Sequence, residues 1–359
     1  MTCSIKHTAT ICLLITLQLW AFTLYAQVIK GRVTDAETSK PIANANVYLN
    51  GTYVGTTTDS LGKFSLTASN TNIPLIVSYL GYASQTINNY AGKDLVIALK
   101  HKINELSEVV ITADEMSREK KMKIFMTEFI GANNKDCVIA NPDDVWLHYR
   151  KKTDELTAGA DKPIIINNKR LGYRITYYLS NFRHNPLQTV YQGNYVFAED
   201  TMGLKPVEIR KIVKARNEVY FGSRMHFIRS LWANELDNNN FRIYLSDKSN
   251  TKVTVIPGYH LNTDNQLGYN DLVVLQNDHI YHDQKFIVLN TEVYISYQKN
   301  KNTVADSFIK QSDGYTGTAI DRDGNYGQGI EWKGDMGLSR VNRLLPQEFQ
   351  PLLGVITVP

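Results

Sequence analysis

The sequence predicts a small antiparallel β-sandwich followed by a larger α+β domain of antiparallel strands and one long central helix. Three observations predict it. Residues 28–99 alternate apolar and polar side chains in short runs broken by turn residues, the period of half-buried strands. From Met116 the composition changes to charged residues surrounding apolar ones at helical spacing. Val207 to Leu236 holds the longest helical pattern of the chain.

In the first part, Ile29, Gly31 and Val33 oppose Val28, Lys30, Arg32 and Thr34. Phe64 and Leu66 oppose Lys63, Ser65 and Thr67, and Leu95, Ile97 and Leu99 oppose Val96 and Ala98. Each such strand buries one face. Asn50-Gly51, Asp59-Ser60-Leu61-Gly62 and Leu80-Gly81-Tyr82 supply the turns between them. About seven strands at this spacing point to a sandwich.

Five segments make the module more specific: Gly31-Arg32-Val33-Thr34-Asp35, Lys40-Pro41-Ile42-Ala43-Asn44-Ala45-Asn46-Val47, Gly55-Thr56-Thr57-Thr58-Asp59, Gly62-Lys63-Phe64-Ser65-Leu66 and Val77-Ser78-Tyr79-Leu80-Gly81-Tyr82. Together they resemble a carboxypeptidase-regulatory-like domain, which implies a transthyretin-like Greek-key sandwich. The module is also similar to the N-terminal extension of TonB-dependent outer-membrane receptors, and Leu106-Ser107-Glu108-Val109-Val110-Ile111-Thr112-Ala113 resembles the segment after that extension. A complete receptor is not expected, because a plug and a large barrel need more chain than follows residue 113. A zinc carboxypeptidase is not expected either. None of the eight histidines has Glu three residues later, so the His-x-x-Glu pair that holds the metal in that class is missing.

Residues 1–26 place Lys6 and His7 before an apolar run from Ile11 to Ala26, which reads as a secretory signal peptide cleaved before Gln27. A retained anchor is the alternative, but the run is short for a span and no positive flank follows it. Cys12 lies inside the run without the small residues of a lipoprotein site, which disfavours lipid anchoring. The chain carries a formal +4, and loss of Lys6 with the leader leaves +3. Such near neutrality does not point to nucleic acid or to an anionic membrane surface. Of three cysteines, Cys3 and Cys12 leave with the leader, so Cys137 has no intrachain partner and reads as a small buried residue. The expected address is the periplasm or the outer-membrane surface of a Gram-negative cell, with no transmembrane span in the mature chain.

Four segments result: a signal peptide at 1–26, the sandwich at 27–100, a linker or edge strand at 101–115 with Leu106, Val109 and Ile111, and the α+β domain at 116–359. Arg118 to Gly131 should form a helix. Strands are expected at 173–180, with Tyr173, Ile175, Tyr177 and Leu179 on one face, and at 190–197, with Tyr191, Tyr195 and Phe197 on one side. Further strands are expected at 241–245, 252–256, 271–275, 285–289 and 292–297. Aromatic residues at this spacing read as core or cross-strand pairs, with sugar-stacking platforms as the alternative. Cys137-Val138-Ile139-Ala140-Asn141-Pro142, Tyr220-Phe221-Gly222-Ser223-Arg224-Met225-His226 and Arg340-Val341-Asn342-Arg343-Leu344-Leu345-Pro346 resemble the C-terminal region of exported proteins that carry this sandwich. That resemblance implies architecture and address without a mechanism.

The central helix should place Ile209, Ile212, Val213, Val219, Tyr220, Phe227, Ile228, Leu231 and Trp232 on its apolar stripe. Its other face, with Arg210, Lys211, Lys214, Arg216, Arg224 and Arg229, reads as solvated, with an anionic ligand as the alternative. Ser223 and His226, three apart, would share one side of the helix as nucleophile and base, with Arg229 nearby. No third acid and no Gly-x-Ser-x-Gly elbow is visible. Asp278-His279-Ile280-Tyr281-His282-Asp283 offers metal-ligand types in a strand-and-turn neighbourhood that would not bring both histidines together. Asp321-Arg322-Asp323-Gly324-Asn325 lacks the late Glu of a calcium loop and reads as a β-turn. No cofactor or metal is therefore expected. The sequence favours a non-catalytic envelope protein with a binding or scaffolding role, its partners being outer-membrane proteins or envelope glycans. The alternative is an envelope hydrolase with its site near Ser223, His226 and Arg229.

Overall fold

The computed structural model describes residues 26–102, 116–132, 134–245, 266–267, 272–274 and 284–352. The expected leader before residue 26, the edge strand at 106–111, the strand at 252–256 and the segment Asp278–Asp283 lie outside the described residues. The chain divides into two compact units, one of residues 1–49 and 54–103, the other of residues 50–53 and 104–359.

The first unit is the expected sandwich. One sheet has the order β4-β1-β7, with β1 (Gln27–Asp35), β4 (Lys63–Ala68) and β7 (Asp94–Leu99). The other has the order β3-β2-β5-β6, with β2 (Asn46–Leu49), β3 (Gly55–Thr57), β5 (Leu75–Ser78) and β6 (Gln85–Ile87). β1 pairs antiparallel with β4 and parallel with β7, Gly31 lying opposite both Phe64 and Leu95. The alternation read from the sequence is the alternation that packs: Ile29, Val33, Phe64, Leu66, Ile97 and Leu99 are buried in one core with Val47, Leu75 and Val77. Gly31 is fixed by that packing, because a Cβ there would lie 2.5 Å from the Leu95 carbonyl oxygen and 3.0 Å from the Phe64 ring. At the end of β1, Asp35 Oδ1 accepts hydrogen bonds from the Glu37 and Thr38 N–H groups at 2.9 and 2.6 Å, and Oδ2 accepts from Tyr82 Oη at 2.7 Å. The Tyr82 bond is the largest cause holding this carboxyl well below the usual carboxylate range.

The second unit is mostly β, with short helices around two cores. Helix α1 (Arg118–Phe125) starts at Ser117, whose Oγ accepts from Lys120 N–H at 3.3 Å, and runs on through a π-turn (Met126–Ile130) to Gly131, the end that the sequence marks. Its Phe125 and Phe129 stack at 4.9 Å under a six-stranded antiparallel sheet of β8 (Cys137–Ile139), β9 (Val145–Arg150), β10 (Glu155–Ala160), β11 (Ile164–Asn168), β12 (Tyr173–Asn185) and β13 (Gln188–Glu199). Tyr173, Ile175, Tyr177 and Leu179 point into this first core, as the pattern predicts.

The single central helix expected from Val207 to Leu236 is a pair of helices, α2 (Pro206–Tyr220) and α3 (Arg224–Ala233). Phe221 leaves the helical path at ψ 121° and Gly222 takes φ +81°. Only glycine adopts that conformation cheaply, and a Cβ would also meet the Tyr297 ring at 2.6 Å. The break distributes one apolar stripe between two cores. Ala215, Val219 and Tyr220 of α2 join the first, and Phe227, Ile228 and Leu231 of α3 join the second.

That second core lies among β14 (Phe241–Leu245), β15 (Gln266–Leu267), β16 (Val273–Val274), β17 (Gln284–Ile287), β18 (Val293–Asn300), β19 (Thr303–Gln311), β20 (Thr318–Asp321) and β21 (Ile330–Lys333), with the one-turn helix α4 (Gly334–Gly337). These strands form sheets of order β15-β14-β18-β19-β21 and β16-β17-β20.

Candidate functional site

Ser223, His226 and Arg229 come together at the start of α3, each hydrogen-bonded within the fold. Ser223 is the N-cap, outside the helix proper, and its Oγ accepts the His226 backbone N–H at 3.2 Å. His226 Nδ1 accepts the Gly222 N–H at 3.1 Å, which leaves the proton on Nε2 to donate to Asn239 Oδ1 at 3.2 Å. The imidazole is 3% exposed and boxed by Tyr220, Phe221, Phe241 and Tyr297, with ring centroids 4.8 to 5.7 Å away. Burial, helped by the Arg229 charge, brings its pKa down to about 4, while the Asn239 bond works in the opposite direction. A buried neutral ring with both nitrogens engaged holds the helix break closed.

The basic face expected to be solvated is divided in two. Arg210, Lys211 and Lys214 are exposed, whereas Arg216, Arg224 and Arg229 fold inward. Arg229 donates Nε to Asp323 O at 2.9 Å, Nη1 to Phe349 O at 2.8 Å and Nη2 to Gln347 O at 2.9 Å. Arg216 donates to Leu171 O at 2.7 Å and to Glu199 Oε1 at 2.6 Å, with its guanidinium 3.9 Å over the Tyr173 ring. These are positions where five fixed donors satisfy carbonyls that no strand partner reaches.

Asp321 to Asn325 forms a turn after β20, in line with its sequence reading. Asp321 Oδ1 accepts from the N–H groups of Asp323 and Asn325 at 3.0 and 2.9 Å, and Oδ2 accepts from Asn325 Nδ2 at 2.8 Å. Among the described residues no group of three His, Cys, Asp or Glu side chains is placed to hold a metal ion. Cys137 is buried in the first core. No described helix is long and apolar enough to cross a membrane.

A second constellation joins residues that sequence reasoning kept apart. On the inner side of β13, Tyr191 packs edge-on to Phe129 at 5.3 Å and Tyr195 stacks on Tyr177 at 5.5 Å. Thr189, two residues before Tyr191 on the same face, donates to Glu128 Oε2 at 2.7 Å, and Glu128 pairs with Arg340 Nη2 at 3.9 Å. Arg224 donates Nε to Met336 O at 2.8 Å and Nη1 to Tyr326 Oη at 3.3 Å. The charges of Arg340 and Arg224 reach the Tyr191 hydroxyl and pull its pKa down against the larger upward push of burial. Tyr191, Tyr195, Tyr326, Arg224 and Arg340 remain partly open to solvent, whereas Tyr177 is buried. Tyr191 and Tyr195 were visible in the sequence as one strand face, and Arg340 as part of a recognisable segment. Tyr326 carried no signal of its own, because only the tertiary fold brings it to Arg224.

Residues 29–111 match the family model described as the CarboxypepD_reg-like domain. Stretches of similar length match three TonB-dependent receptors. Receptor P3 of Formosa agariphila is 31% identical over 83 residues, 23% of this chain and 8% of that protein. Receptor P39 of the same organism is 37% identical over 71 residues, 20% and 7% of the respective chains. Receptor SusC of Bacteroides thetaiotaomicron is 39% identical over 83 residues, again 23% and 8%. The chain thus spans under a tenth of the length of these relatives.

Proposed function

We propose, from the CarboxypepD_reg-like domain at residues 29–111, that this chain is an exported, non-catalytic envelope protein with a binding or scaffolding role at the outer membrane. The observation that carries the reading is the stretch it shares with TonB-dependent receptors at 31 to 39% identity. The described residues after the shared domain pack around two β-rich cores. The commitment of Ser223 Oγ and both His226 nitrogens to hydrogen bonds within the fold supports a non-catalytic role, since neither group is left to activate the other.

Fractionation of a Gram-negative host expressing the tagged protein tests the address. The protein should co-sediment with the envelope and become sensitive to added protease once the outer membrane is permeabilised, or before that if it faces outward. Recovery in the cytosol as folded, full-length protein would overturn the reading.

A further inference from the structure

We propose that Tyr191, Tyr195, Tyr326, Arg224 and Arg340 bind an acidic sugar, its carboxylate on the guanidinium groups and its ring hydroxyls on the tyrosine hydroxyls. The inference deepens the binding role proposed above and rests on that reading for its biological sense, but its chemistry stands on this cluster.

Four observations carry it. First, the arginines are anchored yet incompletely used. Arg224 is fixed by Met336 O and Tyr326 Oη through Nε and Nη1, which leaves Nη2 without a partner among the described residues. Arg340 Nη1 is fixed by the carbonyls of Gly337 and Ser339 at 3.1 and 3.4 Å, while Nη2 has only the long 3.9 Å pair with Glu128. Pre-positioned guanidinium N–H groups select oxyanions.

Second, the Tyr191 and Tyr195 hydroxyls make no hydrogen bond among the described residues, although their rings are held by Phe129 and Tyr177. Fixed rings with free polar tips suit a ligand that offers hydroxyls and C–H faces together. An inorganic anion would leave those rings unused. Third, two arginines against Glu128 give the cluster a single net positive charge, which complements one carboxylate better than a phosphate dianion. Fourth, Glu128 is itself oriented. Thr189 Oγ1 donates to it at 2.7 Å and therefore accepts from His184 Nδ1 at 2.9 Å, so a carboxylate acceptor is held ready for a sugar hydroxyl.

Calorimetric titration of the purified protein with trigalacturonate, maltotriose and acetate tests the proposal. Trigalacturonate should bind, with maltotriose and acetate each weaker by about tenfold or more. Tyr195→Phe and Tyr191→Phe remove only hydroxyls that the fold does not use, so each should keep the wild-type melting temperature and weaken trigalacturonate by about threefold to tenfold. Arg340→Gln should weaken it by about tenfold, and Lys211→Gln, an exposed position on α2, should leave it unchanged. Equal binding of acetate or of maltotriose, an equal loss in Lys211→Gln, or no binding of trigalacturonate would each overturn the assignment. None of these outcomes alters the fractionation result that tests the envelope reading.

Discussion

His226 Nδ1 lies 3.1 Å from the Gly222 N–H and accepts its hydrogen bond, so the glycine that ends one helical path is held by the imidazole that opens the next. The bond requires the neutral ring. The folded pKa of about 4 lies below the ordinary 6.5, so between those values the unfolded chain binds a proton that the folded chain refuses. Stability from this group is complete above about pH 6.5 and is lost as pH falls toward 4, by about 3 kcal/mol in all. Melting curves of wild type and His226→Gln from pH 7 to 4 should converge, and a gap that stays constant would refute the linkage.

Ser223 and Phe227 separate capping and packing from chemistry. Ser223→Ala should cost about 1 kcal/mol through the lost N-cap and leave an envelope phenotype intact. Phe227, fully buried in the second core, should cost about 3 to 5 kcal/mol on truncation to Ala. Thermal melts with complementation distinguish the two readings. Loss of function in Ser223→Ala at an unchanged melting temperature would favour the hydrolase.

Arg229→Lys keeps the charge and loses the fork that reaches Asp323, Gln347 and Phe349. A single ammonium cannot span three carbonyls, so a loss of about 2 kcal/mol is expected. Hydrogen exchange should quicken at 321–325 and 347–349 ahead of the sheets. Uniform acceleration would contradict that local role.

At Gly222, alanine meets both an unfavourable positive φ and the Tyr297 ring. Gly222→Ala should destabilise by about 2 kcal/mol or more in urea titration. An unchanged midpoint would show that the break between α2 and α3 can straighten.

Burial, with a smaller contribution from the Asp136 charge, pushes the Cys137 thiol up to about 12. Native protein should therefore react with Ellman's reagent only at the rate of unfolding, and promptly in denaturant. Fast labelling of the native state would place the thiol outside the core.

The sandwich was legible because β1, β4 and β7 each bury one face, so the period of two in the sequence is the geometry of that sheet. Gly222 was legible only by half. Its cost in a helix and its need for close packing could be read, but helical spacing continues across it from Val219 to Phe227, and only the presence of two cores explains why the path turns. β9 was missed although Val145, Leu147 and Tyr149 alternate, because the outward Trp146 is 51% exposed and blurs the polar face. Three arginines of the helical face read as solvated because each is held in part by backbone carbonyls, which every residue has and no sequence pattern marks.

The parallel pairing of β1 with β7 sets a timetable. β1 is the middle strand of its sheet and leaves the ribosome before either partner, yet the register joins Lys30 to Asp94. One side of the strand stays without a partner until almost the whole module has been made. Such a late closure favours slow nucleation and a lasting sticky edge. A polypeptide of this order gains from being kept extended until residue 99 is available, and a chain threaded outward before folding meets that requirement.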